Sequence, residues 1–224
     1  SPEILIGDMN KLRTLSQEPD KPYFMLGHSM GSYLLRRYLS VYGGGLSGAV
    51  IMGTGANPDA VAKLGMAVCK AIAAFKGWKY RSPFMEKLFF SGDFQKFDMD
   101  GTHPENSWLT KDTEIVRFYY SEPRCTFKFT LKAYYDFLKT VYYVNRKENV
   151  EKIPKDLPIL MVAGDCDPVG EFGKAVKRVY EMYKAAGIND VTLKLYENDR
   201  HEILNETDKE RVFDDILNWC ESRQ

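Results

Sequence analysis

A serine at position 29 stands between two glycines, in the order Gly27-His28-Ser29-Met30-Gly31. This order matches the G-x-S-x-G nucleophile elbow, in which a sharp strand-to-helix turn exposes a serine hydroxyl at the start of a helix. Side chains two residues before and after the serine are expected to collide on such a turn, so both positions are glycine. The backbone N–H of Met30 is the expected donor to an oxyanion. The pattern therefore predicts acyl transfer with Ser29 as the nucleophile.

A serine nucleophile needs a base, and the chain offers three histidines. His28 is adjacent to Ser29, and its side chain is expected to diverge from the hydroxyl and to pack beside the turn. His103 lies in a polar segment typical of a surface loop. His201 follows the last apolar strand-length run, where loops of a parallel sheet open toward the ligand crevice. We therefore predict His201 as the base, last in the chain order Ser, Asp, His.

Two carboxylates follow the third strand-length run and could orient that base. Asp165 directly follows the run and could simply cap the turn. Asp167 lies further out, before a proline that favours an extended backbone. The expected acid is Asp167. Cys166, between the two, is expected to be a bystander thiol because no elbow presents it.

The elements that must position these residues alternate between short apolar runs and helical periodicity, a pattern typical of a parallel sheet with crossover helices. Buried strands are predicted at 22–26, 48–53, 158–164 and 191–196, with helices at 4–15, 32–42, 171–186 and 207–222. The first helix is expected to carry one apolar face, and the last helix an inward one. These faces comprise Ile4, Leu5, Met9, Leu12 and Leu15, and Val212, Phe213, Ile216, Leu217 and Trp219.

Residues 57–156 break the alternation with a long aromatic-rich stretch of mainly helical period. An insertion of this length between strands predicts a helical lid, which divides the core into residues 1–56, with the elbow, and 157–224, with the acid and base. Most of the insertion's large apolar side chains are expected to pack within it, and a minority to face a ligand. They are Met66, Phe75, Trp78, Phe84, Leu88, Phe89, Phe90, Trp108, Phe118, Phe127, Phe129, Tyr134 and Phe137.

Composition limits the partners. Basic and acidic residues both number 31, so the net charge of zero gives no field for a nucleic acid. No apolar run is long enough to span a bilayer. The four cysteines have neither a CxxC pair nor metal-ligand spacing, so we expect reduced thiols, a cytoplasmic protein, and neither metal nor cofactor.

These motifs together resemble the monoacylglycerol lipase and lysophospholipase-like α/β-hydrolases, which are grouped with the serine aminopeptidases. The resemblance spans essentially the whole chain. It rests on the segments GHSMGS at 27–32, RHEILNE at 200–206, WLT at 108–110 and SEPRC at 121–125, and on Gly164 three residues before Asp167. It implies an α/β-hydrolase fold with a lid, supports Asp167 over Asp165, and implies an acyl ester substrate such as a monoglyceride or lysophospholipid.

The chain departs from that family before the elbow. Members begin with several strands and a loop that gives the second oxyanion donor, and Ser29 lies too near the N-terminus for these. We therefore expect a fragment of a longer enzyme, or a separate N-terminal chain covering an open sheet edge. Two alternatives stay open: an aminopeptidase of the same fold, which needs an acidic site for an amino group, and a silent fragment acting as a binding module.

Overall fold

The computed structural model describes residues 1–223, and its centre is a four-stranded parallel sheet. The strands are β1 (Phe24–His28), β2 (Gly48–Met52), β3 (Ile159–Gly164) and β4 (Val191–Tyr196), and they lie side by side in chain order. Each strand pairs in parallel with the next along the chain. All four strands were predicted, within two residues at each end. Because every strand points the same way, their carboxyl ends meet at one edge of the sheet.

Helices connect the strands, as the alternating pattern predicts. Those nearest the sheet are α1 (Pro2–Ser16), α2 (Met30–Tyr42), α8 (Lys174–Ala185) and α9 (Lys209–Glu221). Between β2 and β3 the chain forms α3 (Asp59–Lys76), α4 (Pro83–Phe89), α5 (Thr113–Ser121), α6 (Leu131–Val144) and α7 (Lys147–Val150), with two 3₁₀ turns at Gly92–Lys96 and Pro104–Asn106. Within the described residues this long insertion contains no strand, and its helical character is confirmed.

The core lies on both faces of the sheet because successive strand side chains point to opposite sides. Residues Ala49 and Ile51 of β2 pack with the inward faces of α2 and α8. Residues Val50 and Met52 pack on the other side against Val212 and its neighbours in α9. Since both faces are covered, β2 and β3 are buried at every position. This double burial explains why the strands read as continuous apolar runs.

The first helix forms as predicted, but its apolar face points outward. Ile4, Leu5, Leu12 and Leu15 are exposed, while the adjacent face, with Ile6 and Arg13, is buried. Arg13 is buried because its guanidinium donates to the backbone oxygens of Tyr42 and Gly44 and to the hydroxyl of Tyr38. In α9, Val212 and Trp219 face the core, whereas Phe213 and Leu217 are exposed. The buried face of α9 is therefore narrower than the sequence predicted.

The expectation that most large apolar side chains of the insertion pack within it is also wrong in part. Trp108 and Tyr134 are buried, and five others are half-buried. Six of the thirteen are exposed: Phe75, Trp78, Phe84, Leu88, Phe118 and Phe127. Apolar composition alone does not say which residues of a helical insertion face solvent.

The four cysteines at positions 69, 125, 166 and 220 are free thiols, as expected from their spacing. Over residues 1–223, no helix combines the length and the apolar character needed to cross a membrane.

Candidate active site

Ser29 occupies the turn between β1 and α2, where the elbow pattern predicts it. Its φ of 52° lies in the left-handed region, which non-glycine residues rarely adopt. The backbone of Ser29 is held there by two contacts: its N–H donates to Met52 O at 3.0 Å, and its carbonyl accepts from the Ser32 hydroxyl at 2.6 Å. Helix α2 begins at Met30, whose N–H is one of the first-turn donors with no acceptor in its own helix.

The two glycines of the elbow differ in what they permit. A Cβ on Gly27 would come within 2.5 Å of Gly31 O and 2.9 Å of the Leu35 side chain, so no larger residue fits there. A Cβ on Gly31 would meet nothing within 4 Å among the described residues. The expected collision therefore holds for Gly27 and is wrong for Gly31, because the side chain at position 31 would point away from the turn.

The carboxyl ends of β3 and β4 bring Asp167 and His201 together. His201 Nδ1 and Asp167 Oδ2 are 2.9 Å apart, and both side chains are almost completely buried. The other oxygen of Asp167 accepts from Val169 N at 2.8 Å, which fixes the carboxylate. A Cβ on Gly164 would lie 2.0 Å from Asp199 O, so glycine is needed where the two loops cross. The imidazole is thus oriented by a buried carboxylate.

The other ring nitrogen of His201, Nε2, is buried and has no hydrogen-bond partner within residues 1–223. In unliganded sites the hydrogen bond between nucleophile and base is often long and tightens only when substrate binds. His28 packs against His201 with ring centroids 4.7 Å apart, and its Nε2 lies 3.0 Å from His201 O. Burial, and then the neighbouring His201, lower the pKa of His28 below 6.5. A neutral His28 therefore donates its Nε2–H to the backbone oxygen of His201.

Trp108 of the insertion also packs on the ring of His201. Its ring centroid lies 5.0 Å from that of His201, at an interplanar angle of 31°. The backbone is joined as well, because His201 N donates to Trp108 O at 3.3 Å and Glu202 N donates to Leu109 O at 2.7 Å. Phe90 and Phe94 pack on Trp108 and extend the aromatic surface away from the imidazole. Trp108 was expected among the insertion's aromatic residues and belongs to the WLT segment that carries the family resemblance, but its place beside His201 was not predicted.

A polar cluster fixes this junction, and we call it the Glu206 cluster: Lys111, Asp199, Arg200, Thr110 and Glu206. The buried Glu206 carboxylate accepts from Arg200 N at 2.8 Å, and from Thr110 Oγ1 and Lys111 N at 3.0 Å each. Lys111 Nζ donates to the buried Asp199 at 2.8 Å. The Arg200 guanidinium donates to carbonyl oxygens of the insertion at Glu105, Ser107 and Thr110. Sequence motifs marked Arg200 and Glu206 only as neighbours of the histidine.

The remaining candidate residues lie apart from the Asp167–His201 pair. Asp165 accepts from Asn198 N at 2.8 Å and so braces the neighbouring loop. His103 is exposed, 3.6 Å from Glu105. Cys166 is half-buried, and burial raises the pKa of its thiol above the ordinary value. Among residues 1–223, no group of three or more His, Cys, Asp or Glu side chains is placed to hold a metal ion.

The sequence profile of the serine aminopeptidase S33 hydrolases matches residues 2–208, which is most of the chain. The chain belongs to this S33 family. A monoacylglycerol lipase of Mycolicibacterium smegmatis is 26% identical over 211 residues, covering 92% of this chain and 65% of that protein. The chain thus spans about two thirds of the length of this curated S33-like relative.

Solved structures show the same architecture. A thermostable carboxyl esterase from Bacillus coagulans, in complex with glycerol, superposes with a TM-score of 0.86 at 30% identity, over 97% of this chain and 71% of that one. A monoglyceride lipase from Saccharomyces cerevisiae, in complex with a substrate analogue, superposes with a TM-score of 0.73 at 21% identity, over 99% of this chain and 68% of that one. This S33 chain therefore has the α/β-hydrolase fold.

Proposed function

We propose that the chain is the catalytic part of a serine hydrolase that cleaves carboxylic esters through an acyl-enzyme. The observation that carries the proposal is the buried Asp167–His201 pair, 2.9 Å apart, at the same sheet edge as the strained Ser29 turn. A structural role alone does not require a serine in a left-handed conformation at the sheet edge that also carries an imidazole with a free, buried nitrogen. These features together are those of a nucleophile, base and orienting acid.

The proposed reaction has two steps. His201 Nε2 takes the Ser29 proton as the hydroxyl oxygen attacks the ester carbonyl, and the Asp167 carboxylate stabilises the imidazolium through Nδ1. The Met30 N–H donates to the oxyanion, and His201 then protonates the departing alcohol. Water, deprotonated by the same nitrogen, attacks the acyl-enzyme and releases the carboxylic acid, which restores Ser29.

The proposed substrate is an ester with an apolar acyl chain, such as a monoglyceride or a lysophospholipid. The aromatic side chains of Phe90, Phe94 and Trp108 support this choice because they form a continuous apolar surface that ends against the His201 ring. Burial of an acyl chain against such a surface stabilises the bound substrate by about 0.8 kcal/mol for each buried CH₂ group. The similarity to a monoacylglycerol lipase and to a carboxyl esterase points the same way.

We further propose that residues 57–156 act as a lid over this site, between the core parts 1–56 and 157–224. Support comes from Trp108, which reaches His201 from the insertion, and from the hydrogen bonds that join the backbones of the two segments. Because residues 105–111 are tied down by the buried Glu206 cluster, the opening motion is expected elsewhere in the insertion.

An aminopeptidase is the second candidate, since the S33 family is named for that activity. It would need a carboxylate to bind the substrate's free amino group. Glu202 directly follows His201 and is half-buried, so it is the acidic group the site offers. Its Oε2 accepts a hydrogen bond from Asn205 Nδ2 at 2.8 Å. Hydrolysis of aminoacyl anilides, measured beside hydrolysis of acyl esters, separates the two activities. If the chain is an aminopeptidase, Glu202→Gln should slow the hydrolysis of the anilides and not that of the esters.

A fluorophosphonate probe tests the hydrolase proposal, because it reacts with serines that a base has activated. We expect one adduct per chain by intact mass, and no adduct on Ser29→Ala. Ser40→Ala is the matched control: Ser40 lies near the far end of α2 with its hydroxyl bonded to Arg37 O, so labelling should persist.

Labelling that survives in Ser29→Ala would exclude Ser29 as the nucleophile. If the chain is folded by circular dichroism but takes no label, it is silent and the binding-module alternative replaces the hydrolase for this chain. For a chain that takes the label, the hydrolysis rates of esters with increasing acyl length then show which acyl chains it prefers.

A further inference from the structure

One end of the insertion exposes aromatic and basic side chains together, and we call it the basic aromatic patch. Its residues come from 75–88 and 127–132. Phe75 is 90% exposed, Phe84 is 60% exposed and Phe127 is 61% exposed. The patch also exposes Trp78, Tyr80, Lys76, Lys79, Arg81, Lys87 and Lys128.

Backbone contacts join the two segments into one surface. Leu131 N donates to Tyr80 O at 2.8 Å, and Lys132 N donates to Trp78 O at 3.1 Å. The Arg81 guanidinium donates to Lys128 O at 3.0 Å. These hydrogen bonds fix the two segments side by side, so their exposed side chains form one surface.

The charge of the patch differs from that of the chain. The whole chain has a net charge of zero, whereas 75–88 and 127–132 contain six basic residues and one acidic residue, Glu86. Glu86 pairs with Lys128 at 2.9 Å. Within residues 1–223, Lys76, Lys79 and Arg81 form no ion pair, although most other basic side chains of the insertion do. The patch thus presents unneutralised cations among exposed aromatic rings.

We propose that the basic aromatic patch docks the protein on an anionic phospholipid surface. Tryptophan and tyrosine favour the headgroup region of a bilayer, and each lysine or arginine near an anionic surface adds to the electrostatic attraction. Phe75 and Phe84 are apolar side chains that would insert below the headgroups. A nucleic acid fits less well, because these exposed phenylalanines offer apolar area rather than a basic groove that would follow a strand.

The docking surface connects to the candidate site through one short helix. Helix α4 exposes Phe84 and Leu88 within the patch, and its last residue, Phe89, packs on Phe90. Phe90 packs on Trp108, which stacks on His201. A docked chain would place the outer end of this aromatic surface against lipid. The docking itself goes beyond the proposed hydrolysis and does not depend on it.

Vesicle cosedimentation of the Ser29→Ala chain tests the proposal without turnover. We expect little binding to phosphatidylcholine vesicles and binding that increases as phosphatidylglycerol replaces part of the phosphatidylcholine. Binding should fall at high salt, since screening weakens surface charge. The triple variant Lys76→Gln, Lys79→Gln, Arg81→Gln should bind the mixed vesicles at least tenfold more weakly. Phe75→Ser should weaken binding at high salt, where the apolar contribution remains.

The matched control changes three exposed lysines of α8, in Lys174→Gln, Lys177→Gln and Lys184→Gln. It removes the same charge and should bind like the parent. Equal losses in both triple variants would overturn the proposal, because net charge rather than the patch would then drive binding. Equal binding to neutral and anionic vesicles, tighter binding to a single-stranded oligonucleotide, or a Phe75-dependent dimer in place of vesicle binding would also overturn it. Unchanged circular dichroism shows that each variant is folded.

Discussion

At the scale of single residues, the imidazole of His201 is confined on every side that the chain covers. Asp167 binds Nδ1, the rings of Trp108 and His28 both pack on the imidazole, and Nε2 alone has no partner among the described residues. A ring held in this way can transfer a proton only through Nε2, which is the atom that faces a substrate in the proposed reaction.

Asp167→Asn should lower kcat for ester hydrolysis by about 10⁴-fold with little change in KM, because an amide cannot stabilise the imidazolium or fix its tautomer. Steady-state kinetics and the rate of fluorophosphonate labelling measure the effect. Asp165→Asn is the matched control: Asp165 touches Asn198 N rather than the imidazole, and an amide oxygen can still accept that bond. Equal losses in the two variants would show that Asp167 is not the orienting acid.

His28 should make the stability of the fold depend on pH. Burial and the nearby His201 lower its pKa below 6.5, so the unfolded chain binds this proton more readily than the folded chain. Stability conferred by the neutral ring is then present above about pH 6.5 and lost as the pH falls below it. Urea unfolding from pH 5 to 8 should show this decline, and His28→Gln should reduce it. His103→Gln, at an exposed position, should leave the decline unchanged.

At the scale of elements, the loop after β4 and the insertion are fastened together by the Glu206 cluster. Glu206→Ala should lower the free energy of unfolding by about 2–4 kcal/mol, because it leaves the backbone N–H groups of Lys111 and Arg200 without an acceptor, whereas the Thr110 hydroxyl keeps Asn205 O. Loosening the loop that carries His201 should also lower kcat more than it raises KM.

Urea unfolding and ester kinetics measure these two effects. Glu210→Ala is the control for Glu206→Ala, because Glu210 is exposed on α9, and its unfolding free energy should change by less than about 0.5 kcal/mol. A Glu206 variant with the parent's stability and kcat would mean that the backbone contacts at Trp108 and Leu109 suffice to hold the junction.

The sequence predicted the regular elements better than their contacts. The strands β2 and β3 are buried on both faces and leave apolar runs that are visible in one sequence. The strands β1 and β4 were also found, but their predicted burial is wrong, because each lies at an edge of the sheet and has an exposed residue. The face of α1 was mistaken because Arg13 reads as a solvent-facing residue until its acceptors on Tyr42 and Gly44 are known. Arg36 is a similar case: it is buried in α2 and donates to Gly55 O and Asn145 Oδ1, which lie far apart in sequence.

For the candidate site as well, the sequence predicted which elements carry the residues but only some of the contacts between them. The elbow and the loops after β3 and β4 follow from chain order, because parallel strands bring their carboxyl ends to one edge. That Asp167 rather than Asp165 contacts His201 needs the path of the loop, although the resemblance favoured it. Trp108 was not predictable as the wall of the imidazole, because an insertion's docking depends on tertiary contacts that no local pattern encodes. The catalytic roles of Ser29, Asp167 and His201 stay predictions.

At the scale of the whole molecule, the sheet has an open edge at β1. Within residues 1–223 only β2 pairs with β1, and Leu26 in the centre of β1 is 47% exposed, whereas β2 is buried throughout. The exposed apolar face of α1 adds Ile4 and Leu12 to the apolar side chains that the described chain leaves uncovered. With a net charge of zero, little repulsion keeps two copies apart.

We therefore expect this chain to associate with itself as its concentration rises, through edge-to-edge pairing of β1. Sedimentation velocity over a concentration series measures the association. Leu26→Lys should shift the chain toward monomer, because a charge on an edge strand opposes pairing. Leu217→Lys adds the same charge at a leucine of α9 that is 56% exposed, away from the strand edge, and should not. If both lysine variants dissociate the chain equally, general charge repulsion explains the change; if neither does, β1 is not the contact and the association runs through another surface.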